Sequence, residues 1–235
     1  MAESPLPYRL LVFDWDGTLM DSIGPIVDCA HAMMADLGLG PVADDAIRAT
    51  IGLGLRETMN ALKPGYDEAL FARMLDSYRE HWHATFRDVP VLFPDVEATL
   101  DRLGTAGYLL AVATGKSRRG LDHALAQTGL CARFHSTRTV DEAFSKPHPK
   151  MLLDILEELG VQPGAAAMIG DTTHDLQMAK SAGTAAIAVC SGSQGQAELA
   201  VEVPLACLPS VVDLPAWLAG RESSTAQEPA AVAAR

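Results

Sequence analysis

Apolar residues follow two rhythms along this chain. Short unbroken runs, Leu10-Leu11-Val12-Phe13, Tyr108-Leu109-Leu110-Ala111-Val112-Ala113, Ala165-Ala166-Ala167-Met168-Ile169 and Ala185-Ala186-Ile187-Ala188-Val189, read as buried strands. Phe134 to Thr139 is a shorter strand candidate. Between these runs the apolar positions keep helical spacing, over Val96 to Leu103, Ser117 to Thr128, Lys150 to Leu159 and Asp175 to Ala182. Strands alternating with helices predict an α/β fold with a Rossmann-like parallel sheet.

One stretch departs from the alternation. From Ile23 to Phe86 the period is helical and no strand pattern occurs. Ile26, Val27, Ala30, Met33, Met34 and Leu37 share one face, with Gly38 as a stop. Gly52-Leu53-Gly54 breaks the pattern, Arg56 to Leu62 resumes it, and a long helix is expected from about Asp67 to Phe86. Asp88 to Pro94 reads as a connector stiffened by two prolines. The expected organisation is an α/β core over 1–20 and 89–219 and an all-helical insertion over 21–88, with hinges near Met20 and Val89. Residues 220–235, rich in Ser, Ala, Glu and Pro without an apolar face, read as a disordered tail.

Composition narrows the function classes. The 235 residues are 49% hydrophobic and carry a net charge of −12, with a pI near 4.9. Such a surface argues against nonspecific nucleic-acid or anionic-membrane binding, since both need positive charge. No apolar run is long enough to span a bilayer, and the first residues lack a basic, signal-like segment. Cys29, Cys131, Cys190 and Cys207 are scattered without a C-x-x-C pair, which reads as buried reduced thiols in a cytoplasmic protein.

The candidate chemistry sits at predicted strand ends. Asp14-Trp15-Asp16-Gly17-Thr18 follows the first strand and puts two carboxylates where open parallel sheets bind ligands. Thr114-Gly115-Lys116-Ser117 offers a hydroxyl and free N–H groups at a helix start, which suits an anion. Ser145-Lys146-Pro147-His148-Pro149 fixes a lysine between prolines, although a lone Lys146 would read as solvated. Gly170-Asp171-Thr172-Thr173-His174-Asp175 supplies two more acids, and Asp175 alone would read as a helix N-cap. If these strands are neighbours, Asp14, Asp16, Asp171 and Asp175 form a self-repelling cluster, and a hard cation such as Mg²⁺ is the natural remedy.

Taken in order, the four segments resemble those of the haloacid dehalogenase superfamily, in the group that includes phosphoglycolate phosphatases and β-phosphoglucomutases. The resemblance covers roughly Leu10 to Leu218. It implies a Mg²⁺-dependent phosphatase acting on a small phosphorylated metabolite, phosphoglycolate-like or a sugar phosphate. Asp14 would be the nucleophile and Asp16 the general acid and base. Thr114, Gly115 and Lys146 would bind the phosphoryl group. The Asp14 carboxylate, the Asp16 main-chain carbonyl and Asp171 would hold Mg²⁺, with Asp175 orienting water or Lys146. The helical insertion matches a cap that closes over the site, and Arg56 in its Gly52–Glu57 loop would meet a second anion on the substrate.

A phosphomutase with the same aspartyl phosphate shares all four segments, so the core does not separate the two. A noncatalytic binding protein of this fold is the rival from another class, and the intact Asp14 and Asp16 argue against it. Dehalogenation is disfavoured because Asp16 is present. Phosphonate hydrolysis is disfavoured because Lys63, beside Pro64, is the one lysine of the insertion. Monomer and homodimer are equally compatible with the sequence.

Overall fold

The computed structural model describes residues 6–85 and 91–225. Strand β1 (Leu10–Phe13) leads into helices α1 (Ile23–Asp36), α2 (Asp44–Arg48), α3 (Leu55–Leu62) and α4 (Glu68–Thr85). The chain then alternates: α5 (Val96–Thr105), β2 (Leu109–Thr114), α6 (Arg118–Thr128), β3 (Ser136–Thr139), α7 (Lys150–Leu159), β4 (Ala166–Gly170), α8 (Thr173–Ala182) and β5 (Ala185–Val189). A short α9 (Gln196–Leu199), β6 (Ala206–Leu208) and α10 (Leu214–Thr225) follow.

The strands form one parallel sheet in the order β3-β2-β1-β4-β5-β6. This is the α/β architecture that the alternation predicts. Strand β1 sits centrally, with Phe13 level with Val112 of β2 and Ile169 of β4. The chain order reverses there, which opens a crevice at the carboxyl ends.

The period of two along each strand sorts residues onto opposite faces. Leu11, Phe13, Leu110, Val112, Ala167 and Ile169 meet α5, α6 and α10 through Leu100, Leu121 and Leu214. Leu10, Val12, Ala111, Ala113, Ala166 and Met168 meet α7 and α8 through Met151, Ile155 and Met178. Burial on both faces explains why these strands read as continuous apolar runs rather than alternating ones.

Helices α1, α3 and α4 build a separate cluster around Met33, Met34, Met59 and Met74, and α2 packs its Ile47 on Val27 and Ala30 of α1. The chain enters and leaves this insertion side by side. Met20 bridges Leu92, and the Asp21 N–H donates to the Val91 carbonyl at 2.9 Å. The expected hinge at Val89 and helix end at Phe86 lie outside the described residues. Helix α10 runs through Gly220 to Thr225, so the expected tail starts too early, because Leu214 and Leu218 anchor that helix on the sheet. Residues 226–235 of that tail lie outside the described residues. Among the described residues no helix is long and apolar enough to cross a membrane.

Candidate active site

Three strand ends converge on one point. The Asp14 N–H donates to the Ile169 carbonyl at 2.9 Å, which keeps β1 and β4 in register to their last residues. Beyond Asp14 the chain turns at Gly17, whose φ of +81° favours glycine. A Cβ there would also run into the Asp171 carboxylate, so glycine is what lets the two loops touch. Trp15 is fully buried beneath the turn, and its indole N–H donates to Met20 Sδ at 3.3 Å.

Asp14, Asp171 and Asp175 are buried, with one oxygen from each within 4.8 Å of the others. Lys146, 1% exposed, is the cation among them. Its Nζ lies 2.6 Å from Asp14 Oδ1 and donates to Asp175 Oδ1 at 2.6 Å. The Asp14 contact is an ion pair, and both Asp14 oxygens are buried without a hydrogen-bond partner. Burial pushes the Asp14 carboxyl well above the usual carboxylate range; Lys146 opposes this, and the charges of Asp175 and Asp171 reinforce it.

Asp171 is held from two sides. Thr18 donates to its Oδ1 at 2.9 Å, and the Ser193 N–H donates to its Oδ2 at 2.8 Å. Burial, aided by the Asp175 charge, still pushes Asp171 up to about 7, against these hydrogen bonds and Lys146. Asp175 has a double engagement. Its Oδ2 accepts from the Thr172 N–H at 3.2 Å and the Thr172 hydroxyl at 2.7 Å, closing a capping box in which Thr172 is the N-cap. Asp175 is therefore not the N-cap; it sits inside the first turn of α8 and holds Lys146. Three buried carboxylates against one ammonium leave an excess of negative charge, and Asp14 has unused lone pairs. The donor set is all oxygen, which fits Mg²⁺.

The Asp16 side chain points away from this trio. The Ser22 hydroxyl donates to Asp16 Oδ1 at 2.7 Å, and Lys116 Nζ lies 3.0 Å from the same atom. Lys116 also stands 4.4 Å from the ring centre of Trp82 on α4, linking the β2 loop to the helical insertion. Sequence reasoning gave Lys116 no role of its own. Thr114 is buried at the end of β2, and its Oγ1 accepts from the Lys116 N–H at 3.2 Å. At Gly115 a Cβ would collide with the carbonyl oxygens of Gly52 and Leu53, so the insertion and the sheet meet backbone to backbone. The Gly54 N–H adds a bond to Ser145 Oγ at 2.9 Å. His174 Nε2 lies 3.2 Å from the Ala49 carbonyl, which makes it a contact to the insertion and not part of the acid cluster.

A cavity of about 340 Å³ opens over Asp14, Asp16, Thr114 and Gly115, between the sheet and the insertion. Arg56 does not reach it. Its guanidinium donates to both Glu68 carboxylate oxygens, at 2.8 and 3.1 Å, and stacks 4.0 Å from the Phe71 ring centre. The expectation of a substrate-facing Arg56 is corrected by this exposed pair on the far side of α3. Arg79 and Arg119 line the cavity instead. The cysteines are expected to be buried, but of the four only Cys29 is.

The model for haloacid dehalogenase-like hydrolases matches residues 11–189. A protein of Dickeya dadantii named "Probable phosphatase IndB" is 39% identical over 78% of this chain and 81% of its own length. A phosphoglycolate phosphatase of Psychrobacter arcticus is 32% identical over 74% of this chain and 80% of its own. The crystal structure of a hydrolase from Pseudomonas syringae superposes with a TM-score of 0.82 over 91% of this chain and 99% of that one, at 21% identity, which speaks for the fold alone. With that model spanning most of its length and such relatives beside it, this chain belongs to the haloacid dehalogenase-like hydrolase family.

Proposed function

We propose that this phosphatase cleaves the phosphomonoester of a small metabolite through an aspartyl phosphate on Asp14, with Mg²⁺ as cofactor. One observation carries the reading. Asp14 ends the central strand with both carboxylate oxygens free of hydrogen bonds, beside a lysine that neutralises incoming phosphate charge. An ordinary structural aspartate, buried this deeply, would have its oxygens bonded.

In the first step an Asp14 oxygen attacks phosphorus, and the bond from phosphorus to the ester oxygen breaks. Asp16 gives its proton to the departing alkoxide. In the second step Asp16 takes a proton from water, and the water oxygen attacks phosphorus, releasing inorganic phosphate and restoring Asp14. Lys146, the Thr114 hydroxyl and the Gly115 N–H bind the phosphoryl oxygens, and Asp175 holds Lys146 in place. Mg²⁺ would be held by the Asp14 carboxylate, the Asp16 main-chain carbonyl and Asp171. When bound, it withdraws charge from the phosphoryl oxygens and so lets an anionic nucleophile approach. The names of the curated relatives support the reaction class.

The test is covalent trapping. Protein incubated with a ³²P-labelled phosphomonoester and Mg²⁺, then acid-quenched, should carry label that hydroxylamine releases. Asp14→Asn should carry none and should release phosphate slower by roughly a thousandfold or more. Wild-type turnover persisting in a folded Asp14→Asn protein would remove Asp14 from the reaction.

A further inference from the structure

The wall of the cavity facing the phosphoryl site is mainly apolar, its uncharged polar side chains being Thr50, Thr58 and Tyr78. Ile26, Ile47, Ile51, Leu55, Met59 and Trp82 line it, all contributed by the helical insertion. Its two threonines turn their hydroxyls to main chain: Thr50 donates to the Ile47 carbonyl at 2.7 Å, and Thr58 to the Thr50 carbonyl at 3.4 Å. Lys116, which lies against Trp82 of this wall, is already engaged by Asp16 and by that ring. The remaining cations, Arg79 and Arg119, are exposed residues of the cavity lining, with His83 and His123 edge to face beside them, ring centres 6.2 Å apart.

We infer that this wall receives the alcohol portion of the substrate, and that this alcohol carries an apolar body the size of a ring or a chain of several carbons. The inference rests on the phosphatase reading and adds the substrate class to it. A two-carbon hydroxy acid would leave most of the wall wet and would bring a carboxylate against isoleucine and methionine, with the Tyr78 hydroxyl, itself within reach of the Asp16 charge, as the buried uncharged donor beside it. Desolvating a charge without a charged partner is unfavourable, whereas covering apolar wall is favourable in proportion to area. A cavity of about 340 Å³ lies within the range of small-molecule sites and has room for such a body beside the phosphate. Any polar end of the molecule would point to the exposed Arg79 and Arg119.

Alkyl esters test this without changing leaving-group chemistry. Phosphate release with Mg²⁺ would be compared for ethyl phosphate, 3-phenylpropyl phosphate, glycerol 3-phosphate and phosphoglycolate. The expected kcat/KM for the phenylpropyl ester exceeds each of the others by roughly thirtyfold or more. Ile26→Gln and Leu55→Gln, at half-buried positions, should each cut the phenylpropyl-to-ethyl ratio by roughly tenfold, with circular dichroism confirming the fold. Phosphoglycolate as the best substrate, a phenylpropyl-to-ethyl ratio near one, or a ratio unmoved in both folded variants overturns the inference and leaves the phosphatase reading standing. Failure of folded, Mg²⁺-loaded protein to release phosphate from any of the four overturns both.

Discussion

Lys146 Nζ donates to Asp175 Oδ1 at 2.6 Å with both side chains sealed from water. Burial alone pushes the Lys146 ammonium down. The charges of Asp14 and Asp175 more than offset it and hold Lys146 above the ordinary ammonium range. Asp175 thus ties the first turn of α8 to the one buried cation of the site.

Asp175→Ala should remove one of the lysine's two carboxylate partners, the one that accepts its hydrogen bond, and half of the capping box. Breaking a buried pair from one side costs about 3 kcal/mol or more, and the cap adds about 1 kcal/mol. Urea denaturation should show a lower midpoint at an unchanged slope. Asp175→Asn, which keeps an acceptor for Thr172, should lose less. An Asp175→Ala protein within about 0.5 kcal/mol of the parent would contradict the linkage, since losses that small are typical of ordinary surface positions.

Asp16→Asn should discriminate between leaving groups. An alkoxide needs a proton in the transition state, and nitrophenolate leaves without one. Rapid-quench phosphorylation should slow by roughly a hundredfold or more with an alkyl phosphate and by less than about tenfold with p-nitrophenyl phosphate. Equal slowing of both esters would take the acid role away from Asp16.

Metal-free protein should be less stable at pH 8 than at pH 5.5. Asp171 is pushed up to about 7 in the fold, against about 3.9 in an unfolded chain. The fold therefore binds this proton more tightly. Its contribution is fully present below the unfolded value and is lost as pH rises through 7. Carboxylates held low by partners, such as Asp101 beside Arg133, titrate below this window. Mg²⁺ should raise the melting temperature more at pH 8 than at pH 5.5, and Asp171→Asn should flatten the metal-free profile. A metal-free Tm that climbs from pH 5.5 to 8 and is insensitive to Asp171→Asn would go against the assignment.

Gly115→Ala should displace the Gly52-Leu53 loop, because the added methyl has no space beside those two carbonyls. The expected result is a fall of roughly tenfold or more in kcat/KM, from misplacement of the cavity wall over Asp14 and Thr114. Stability should suffer less than in Asp175→Ala. An alanine variant with parental kinetics would mean that the close approach is not needed for turnover.

The sheet was legible because parallel strands buried on both faces leave unbroken apolar runs, and Leu10 to Phe13 is one of them. Asp14, Asp171 and Asp175 were legible because they lie at or shortly beyond such runs, whereas the Asp16 side chain, expected in the same cluster, turns to Ser22 and Lys116. Lys116 was not legible, because its partner Asp16 lies on a different strand end and no local pattern marks the pair. Arg56 misled for the opposite reason: the surrounding loop looked right, while its real partners, Glu68 and Phe71, sit on the next helix, which the loop does not describe. Helix α10 was missed because its apolar anchors, Leu214 and Leu218, precede a Gly and a polar stretch that masked its length.

Met59 belongs at once to the cavity wall and to the methionine cluster of the helical insertion. Unbranched thioether chains re-seat around a changed neighbour more readily than branched ones do. A substitution at Met59 or Leu55 is therefore met by Met33, Met34 and Met74, whereas one at Trp82, which packs on the sheet core and on Lys116, reaches the acids. The part of the wall around Met59 is thus where selectivity can be altered at least cost to the acids of the sheet.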